Sequence, residues 1–174
     1  MRIEHDNTAV IPQLGRYEID PAHSRIRFRT RHLFGLAPVR GGAFTIRRGT
    51  VDIVEPIAES GVHAEIDVAS FQTGNPQRDR RVRSARFLDA RRHPVVTFTS
   101  SRVDVMGNVI DGTLTLGEVT RRVSLFVTAF EETRESLTAR ASAHIDRFDF
   151  GVTASRGLAG RYLEMSAEVQ CLRK

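Results

Sequence analysis

The sequence predicts an all-β domain with one short helical insertion, on three observations. Apolar residues recur with period two along most of the chain, the mark of strands with one buried face. Turn-forming pairs separate those runs at hairpin distances. Nowhere do strands alternate with long amphipathic helices, which a parallel α/β sheet would need.

Taken in order, a short strand over Arg16 to Ile19 stops at Asp20-Pro21. From Ser24 to Leu33, Ile26, Phe28, Thr30 and His32 share one face, and Arg25, Arg27, Arg29 and Arg31 the other. Arg48-Gly49 is expected to turn the chain between strands Ala43–Arg47 and Thr50–Val54. Val62, Ala64, Ile66 and Val68 then alternate with His63, Glu65 and Asp67. Gln77 to Asp89 breaks the pattern: Val82, Ala85 and Leu88 fall three apart, the stripe of a short helix, with Asn75-Pro76 supplying an N-cap and a first-turn proline. His93-Pro94 ends it before the strand Val95 to Val103.

Gly107-Asn108 suits a two-residue hairpin turn leading into Ile110, Gly112, Leu114 and Leu116. In the next strand Phe126 and Phe130 share a phase opposite Leu125, Val127 and Ala129, so one set is expected to face out. Two further alternating runs follow, from Leu137 to Ile145 and from Leu163 to Cys171. The polar links Glu131 to Ser136 and Gly157 to Gly160 precede them. Eight or so antiparallel strands joined by short turns form either a meander closed into a barrel or a two-sheet sandwich.

Length and composition fit one domain. The 174 residues, 40% of them apolar, are expected to divide into a partly ordered lead-in, residues 1–15, and a single domain, residues 16–174. No apolar run reaches the roughly 18 residues a spanning helix needs. Charges at Arg2, Glu4, His5 and Asp6 stand where an export signal would be apolar, so a cytoplasmic location is expected. The single Cys171 cannot form an internal disulfide, which agrees with a reducing compartment, and its apolar phase reads as buried and inert. The net charge of +5 would suit nucleic acid or anionic lipid. Yet the arginines are dispersed among 21 acids, and the Arg25/27/29/31 face has no interleaved aromatics for base stacking. It reads as a solvated strand face, with no nucleic-acid partner expected.

Several motifs resemble one known family. They are Tyr17-Glu18-Ile19-Asp20-Pro21-Ala22-His23-Ser24, Val39-Arg40-Gly41-Gly42-Ala43-Phe44, and a series from Asp67 to Ser100. That series includes Ser70-Phe71-Gln72-Thr73-Gly74-Asn75, Arg78-Asp79, Phe87-Leu88-Asp89-Ala90, His93-Pro94 and Phe98-Thr99-Ser100. Gly112-Thr113-Leu114-Thr115-Leu116 and Arg147-Phe148-Asp149-Phe150-Gly151 extend it. Together they resemble the YceI-like polyisoprenoid-binding family over nearly the whole chain. Departures are Tyr17 for the usual Trp, His93-Pro94 for Tyr-Pro, and Gly117-Glu118 for His-Gly. The resemblance implies an extended eight-stranded antiparallel lipocalin-like β-barrel that encloses a long lipid such as a polyisoprenoid in an apolar cavity. It also implies a homodimer.

An eight-stranded barrel is just wide enough to be filled by side chains or to hold one slender ligand. On that reading the cavity-lining candidates are Ile26, Phe28, Phe44, Ile46, Ile66, Val68, Val96, Phe98, Leu114 and Leu116, each of which would serve equally as ordinary core. His32, at the end of its strand, would bond a ligand head group, act as a pH-sensitive gate, or be satisfied by a backbone carbonyl. Arg78 would pair with a carboxylate or guard the cavity mouth. His23 reads as a turn residue bonding local backbone, and Asp79 as a helix-dipole acid. No cofactor is expected. The chain has no Gly-x-Ser-x-Gly, phosphate loop or dinucleotide fingerprint, and its six histidines are scattered away from metal-site spacings. The expected function is non-catalytic binding, sequestration or transport of a long apolar lipid. An enzyme acting on an apolar substrate inside the barrel, with a reactive cluster around His32, is the alternative, and a basic nucleic-acid-binding barrel a more remote one.

Overall fold

The computed structural model describes residues 12–32, 37–39, 41–156 and 159–174. Most of the expected lead-in therefore lies outside the described residues. Among the described residues, eleven strands form one continuous antiparallel sheet. They are β1 (Gly15–Ile19), β2 (Arg25–His32), β3 (Ala37–Val39), β4 (Ala43–Phe44), β5 (Ile46–Ile53), β6 (Gly61–Asp67), β7 (Val95–Asp104), β8 (Val109–Leu116), β9 (Val119–Glu132), β10 (Ser136–Asp146) and β11 (Tyr162–Arg173).

The sheet closes on itself because β11 pairs with β10 on one side and with both β1 and β2 on the other. Along β11, β1 takes Cys171–Arg173 and β2 takes Glu164–Glu168, so these two strands are successive halves of one barrel stave. A 3-10 turn at Pro21–His23 bends the stave between them, with the Asp20 carboxylate accepting from the Ala22 N–H at 3.0 Å. In the same way β4 pairs with β2, and β5 with β1. Counting β1/β2 and β4/β5 as one stave each gives an eight-stave barrel, and closure settles barrel against sandwich.

Two turn expectations are corrected. Arg48-Gly49 lies inside β5, where the register with β6 shifts between Ile46 and Arg48. The glycine serves close approach instead of a turn: a Cβ at Gly49 would lie 2.5 Å from the His63 carbonyl and 2.5 Å from Ile19 Cδ1. The β7–β8 connection spans the four residues 105–108, with only Asn108 in the left-handed region at φ 53°. The helix is also shorter than its apolar stripe suggested. α1 runs Pro76–Arg83, Ser84 caps it, and Ala85 is exposed beyond its end. Asn75 caps the other end as expected, its side chain accepting from the Gln77 and Arg78 N–H groups, both at 3.1 Å.

A bulge corrects the reading of β9. Val127 pairs with Ala141, but Ala129 pairs with Arg140 and Phe130 with Ala139, leaving Thr128 unmatched. The extra residue reverses the phase, so Phe126 faces out, 45% exposed, while Phe130 turns in and packs against the core.

One half of the barrel is solid. Tyr17, Ile19, Ile53, Leu137 and Cys171 are buried together there. Register places Leu137 beside both Cys171 and Glu132, and Cys171 beside Ile19. The inward Glu132 carboxylate accepts from the Tyr17 hydroxyl at 3.0 Å, which gives this plug its polar partner. Burial pushes the Cys171 thiol up to about 12, so it stays protonated at neutral pH.

Candidate functional site

The other half of the barrel is hollow. Its cavity, about 830 Å³, falls in the range of small-molecule pockets. Seven of the ten residues expected to line such a space do so: Ile26, Phe28, Phe44, Ile66, Val96, Leu114 and Leu116. Strand phase carries these, since they alternate inward along β2, β4, β6, β7 and β8.

Ile46, Val68 and Phe98 are not on the cavity wall; all three are buried in packed structure. Ile46, at the start of β5, is 2% exposed and paired with Ile66. Val68 lies beyond the end of β6, in the 3-10 turn Val68–Ser70, where the strand alternation no longer applies. Phe98 follows Val96 inward along β7, but it is only 5% exposed and its ring covers Gly112, where a Cβ would lie 2.6 Å from Phe98 Cζ. The hollow therefore ends between Val96 and Phe98 on β7, and between Leu114 and Gly112 on β8.

Sequence periodicity missed the residues brought in by irregular segments. Phe71, from the loop after Val68–Ser70, continues an aromatic row: its ring lies 5.0 Å from that of Phe44, which meets Phe28 edge-on at 5.4 Å. Val82, Phe87 and Leu88 reach the cavity from α1 and the turn after it, and Phe150 and Val152 from the 3-10 turn Arg147–Phe150 and its exit. Val82 and Leu88 already stood out in the helical stripe. The others had no periodic signal.

Two polar segments form the mouth. On one side, Arg78 and Arg81 of α1 touch the cavity. The helix is held by Asp79, whose buried carboxylate accepts from the Thr73 N–H at 2.9 Å and the Thr73 hydroxyl at 2.6 Å. Asp79 thus pins the loop to the helix, a use beyond the dipole interaction expected of it. Arg83 adds an Nε–H bond to the Phe71 carbonyl at 3.0 Å. Opposite stands Arg147, 7% exposed, which donates to the carbonyls of Val152 (2.6 Å), Gly160 (2.8 Å) and Ala159 (3.1 Å). Burial lowers its pKa from the ordinary arginine value, though a guanidinium remains charged. Its neighbour Asp146 is taken by Arg161 at 2.6 Å, which holds that carboxyl below the usual range. The Phe148 ring lies about 5 Å from the guanidinium carbons of Arg147, Arg156 and Arg161. Arg81 reaches toward Ser155 across the mouth, Nη2 to Oγ 3.5 Å.

His32 ends β2 with its backbone paired to Ala37; its side chain lies outside the described residues. The His23 ring bonds the Asp20 carboxylate at 2.7 Å, and its backbone N–H donates to the Asp20 carbonyl at 3.3 Å. Among the described residues, no histidine, cysteine or acid touches the cavity, and no group of three or more such residues could hold a metal. The site can surround an apolar chain and meet a polar end at its mouth.

The model of the YceI-like domain matches residues 17–171. The chain belongs to the YceI-like family. A UPF0312 protein of Pectobacterium carotovorum is 31% identical over 171 residues, spanning 91% of this chain and 86% of the relative. Protein YceI of Salmonella arizonae is 30% identical over 168 residues, 88% of this chain and 85% of that one. Among solved structures, Burkholderia cenocepacia BcnA superposes with a TM-score of 0.74 at 22% identity, covering 87% of this chain and 98% of its own. A polyisoprenoid-binding domain from Saccharophagus degradans gives a TM-score of 0.66 at 16% identity, covering 93% and 100%. At those identities the structures speak to fold, and the eight-stave barrel of this YceI-like chain is the fold they share with it.

Proposed function

We propose that this YceI-like protein binds, sequesters or carries a long apolar lipid, of polyisoprenoid or similar extended type, in the hollow half of its barrel. The observation that carries the reading is the cavity of about 830 Å³ walled by aliphatic and aromatic side chains. Membership of a family with a polyisoprenoid-binding structural neighbour supports it. Each enclosed methylene contributes about 0.8 kcal/mol, so a buried run of about ten supplies roughly 8 kcal/mol before the cost of immobilisation, with no catalytic group required. Enclosure of this kind selects width and length over fine chemistry. Protein purified gently from its native host, extracted with organic solvent and analysed by mass spectrometry, is expected to release a long-chain lipid. Empty barrels that also ignore added long-chain isoprenoids would refute the proposal.

The same proposal includes a homodimer through the outward face of β9, where Phe126 is the exposed anchor.

A further inference from the structure

The chain's net charge of +5 is concentrated in one excursion from the sheet. Between the 3-10 turn Val68–Ser70 and the start of β7, residues 71–94 carry seven arginines against two acids, Asp79 and Asp89. That is a local net charge of +5. The chain has 26 basic residues and 21 acids in all, so the other 150 residues hold 19 of each and balance. Both acids of the excursion are used within it: Asp79 lies 4.0 Å from Arg83, and Asp89 4.0 Å from Arg92. Arg78, Arg80, Arg81, Arg86 and Arg91 have no acid within 4.0 Å among the described residues.

The excursion has two faces. Val82, Phe87 and Leu88 turn onto the cavity, and Asp79 is buried against Thr73. Arg80, Arg86, Arg91 and Arg92 are exposed and do not touch the cavity. They stand on an ordered platform. After α1 the Leu88 N–H donates to the Val82 carbonyl at 3.1 Å, Ala90 to Arg83 at 2.9 Å, and His93 to Asp89 at 2.8 Å. The charge is therefore displayed outward, beside the cavity opening, on a segment whose inner side walls the cavity. Nucleic acid is the poorer fit to this face. Both phenylalanines of the excursion, Phe71 and Phe87, line the cavity, which leaves neither ring outside for base stacking.

Resting on the lipid-binding reading above, we propose that this outer arginine face docks the protein on an anionic membrane surface, with the cavity opening held toward the bilayer. The contact is made with the bilayer surface by arginines outside the cavity, and the head group of the enclosed lipid takes no part in it. Arginines clustered on one face gain together at a negative surface, whereas the balanced remainder of the chain contributes no net attraction. An apolar chain is costly to expose to water, so its exchange is favoured where the opening meets the bilayer directly.

The test uses full-length protein and vesicles of phosphatidylcholine, either alone or with about a third phosphatidylglycerol. Wild-type protein should partition onto the anionic vesicles about tenfold or more strongly than onto the neutral ones at low salt, the gap narrowing as salt rises. Arg80→Gln/Arg86→Gln/Arg91→Gln should lose most of that gap. Arg25→Gln/Arg102→Gln/Arg134→Gln removes the same charge from exposed positions elsewhere and should keep it. Melting temperatures of both variants are compared with the wild type first. Equal partitioning of the wild type onto the two kinds of vesicle would overturn the proposal. So would equal losses in the two variants, which would trace binding to net charge alone. A preference for a mixed-sequence DNA duplex over anionic vesicles at matched salt would overturn it in favour of nucleic acid. Affinity for geranylgeraniol in solution, measured on the same proteins, reads the cavity separately. It should be unchanged in the first variant, and its absence in the wild type would remove the lipid-binding reading whatever the vesicles show.

Discussion

Phe28 and Phe98 look alike in the sequence, each mid-strand and in the inward phase, yet the fold puts one on the cavity wall and the other in packed core. Their truncations should therefore differ. Phe98→Ala uncovers Gly112 and leaves a void in close-packed surroundings, at an expected cost of about 3–5 kcal/mol. Phe28→Ala in the ligand-free protein should cost about half of that or less, because one side of its ring already borders empty space. It should instead weaken lipid affinity. Gly112→Leu is no cavity-filling change: its Cβ would lie 2.5 Å from the Thr99 carbonyl and 2.6 Å from the Phe98 ring, so it should unfold the protein. Chemical denaturation of the ligand-free variants, with lipid affinity for the same proteins, checks all three. Equal losses at Phe28 and Phe98 would contradict the division into core and hollow. Single residues were legible where alternation was unbroken, as at Leu114 and Cys171. Arg147 was not, since a charged residue becomes buried only when carbonyls from residues 152–160 fold around it.

At the scale of elements, the sequence reading failed where backbone hydrogen bonding, and not side-chain pattern, decided. Gly49 resembles a turn residue but stays in β5 because its missing Cβ lets β1 and β6 come close. The bulge at Thr128 leaves no trace in composition, yet it sends Phe126 and Phe130 to opposite faces. The proposed dimer face is altered accordingly. Phe130 has no part in it, while Met106, 87% exposed in the β7–β8 turn, stands near the β9 surface, where the Val127 N–H bonds the Asn108 carbonyl at 2.8 Å. Light scattering at micromolar concentration is expected to show a dimer for the wild type and a shift toward monomer for Phe126→Ser. A wild type that is wholly monomeric would remove the dimer from the account. α1 behaved differently: Asn75-Pro76 announced its start, whereas its end at Arg83 was obscured by an apolar stripe that continues, through turns, to Leu88.

At the scale of the whole molecule, period-two patterning was sufficient for an all-β domain but could not separate a barrel from a sandwich, because both bury alternate residues. Family resemblance supplied the barrel, and the pairing of β1 with β11 closes it. Neither source foretold that the barrel is half solid. The plug of Tyr17, Leu137 and Cys171 fills one end of the barrel, and the cavity lies toward α1 and the Arg147–Phe150 turn. That shape makes the central claim measurable with a homologous series of straight-chain lipids sharing one head group, titrated into delipidated protein. Affinity should strengthen with each added carbon by up to about 0.8 kcal/mol, then level off once the chain reaches the plug. Affinity that does not depend on chain length would contradict a lipid-binding barrel.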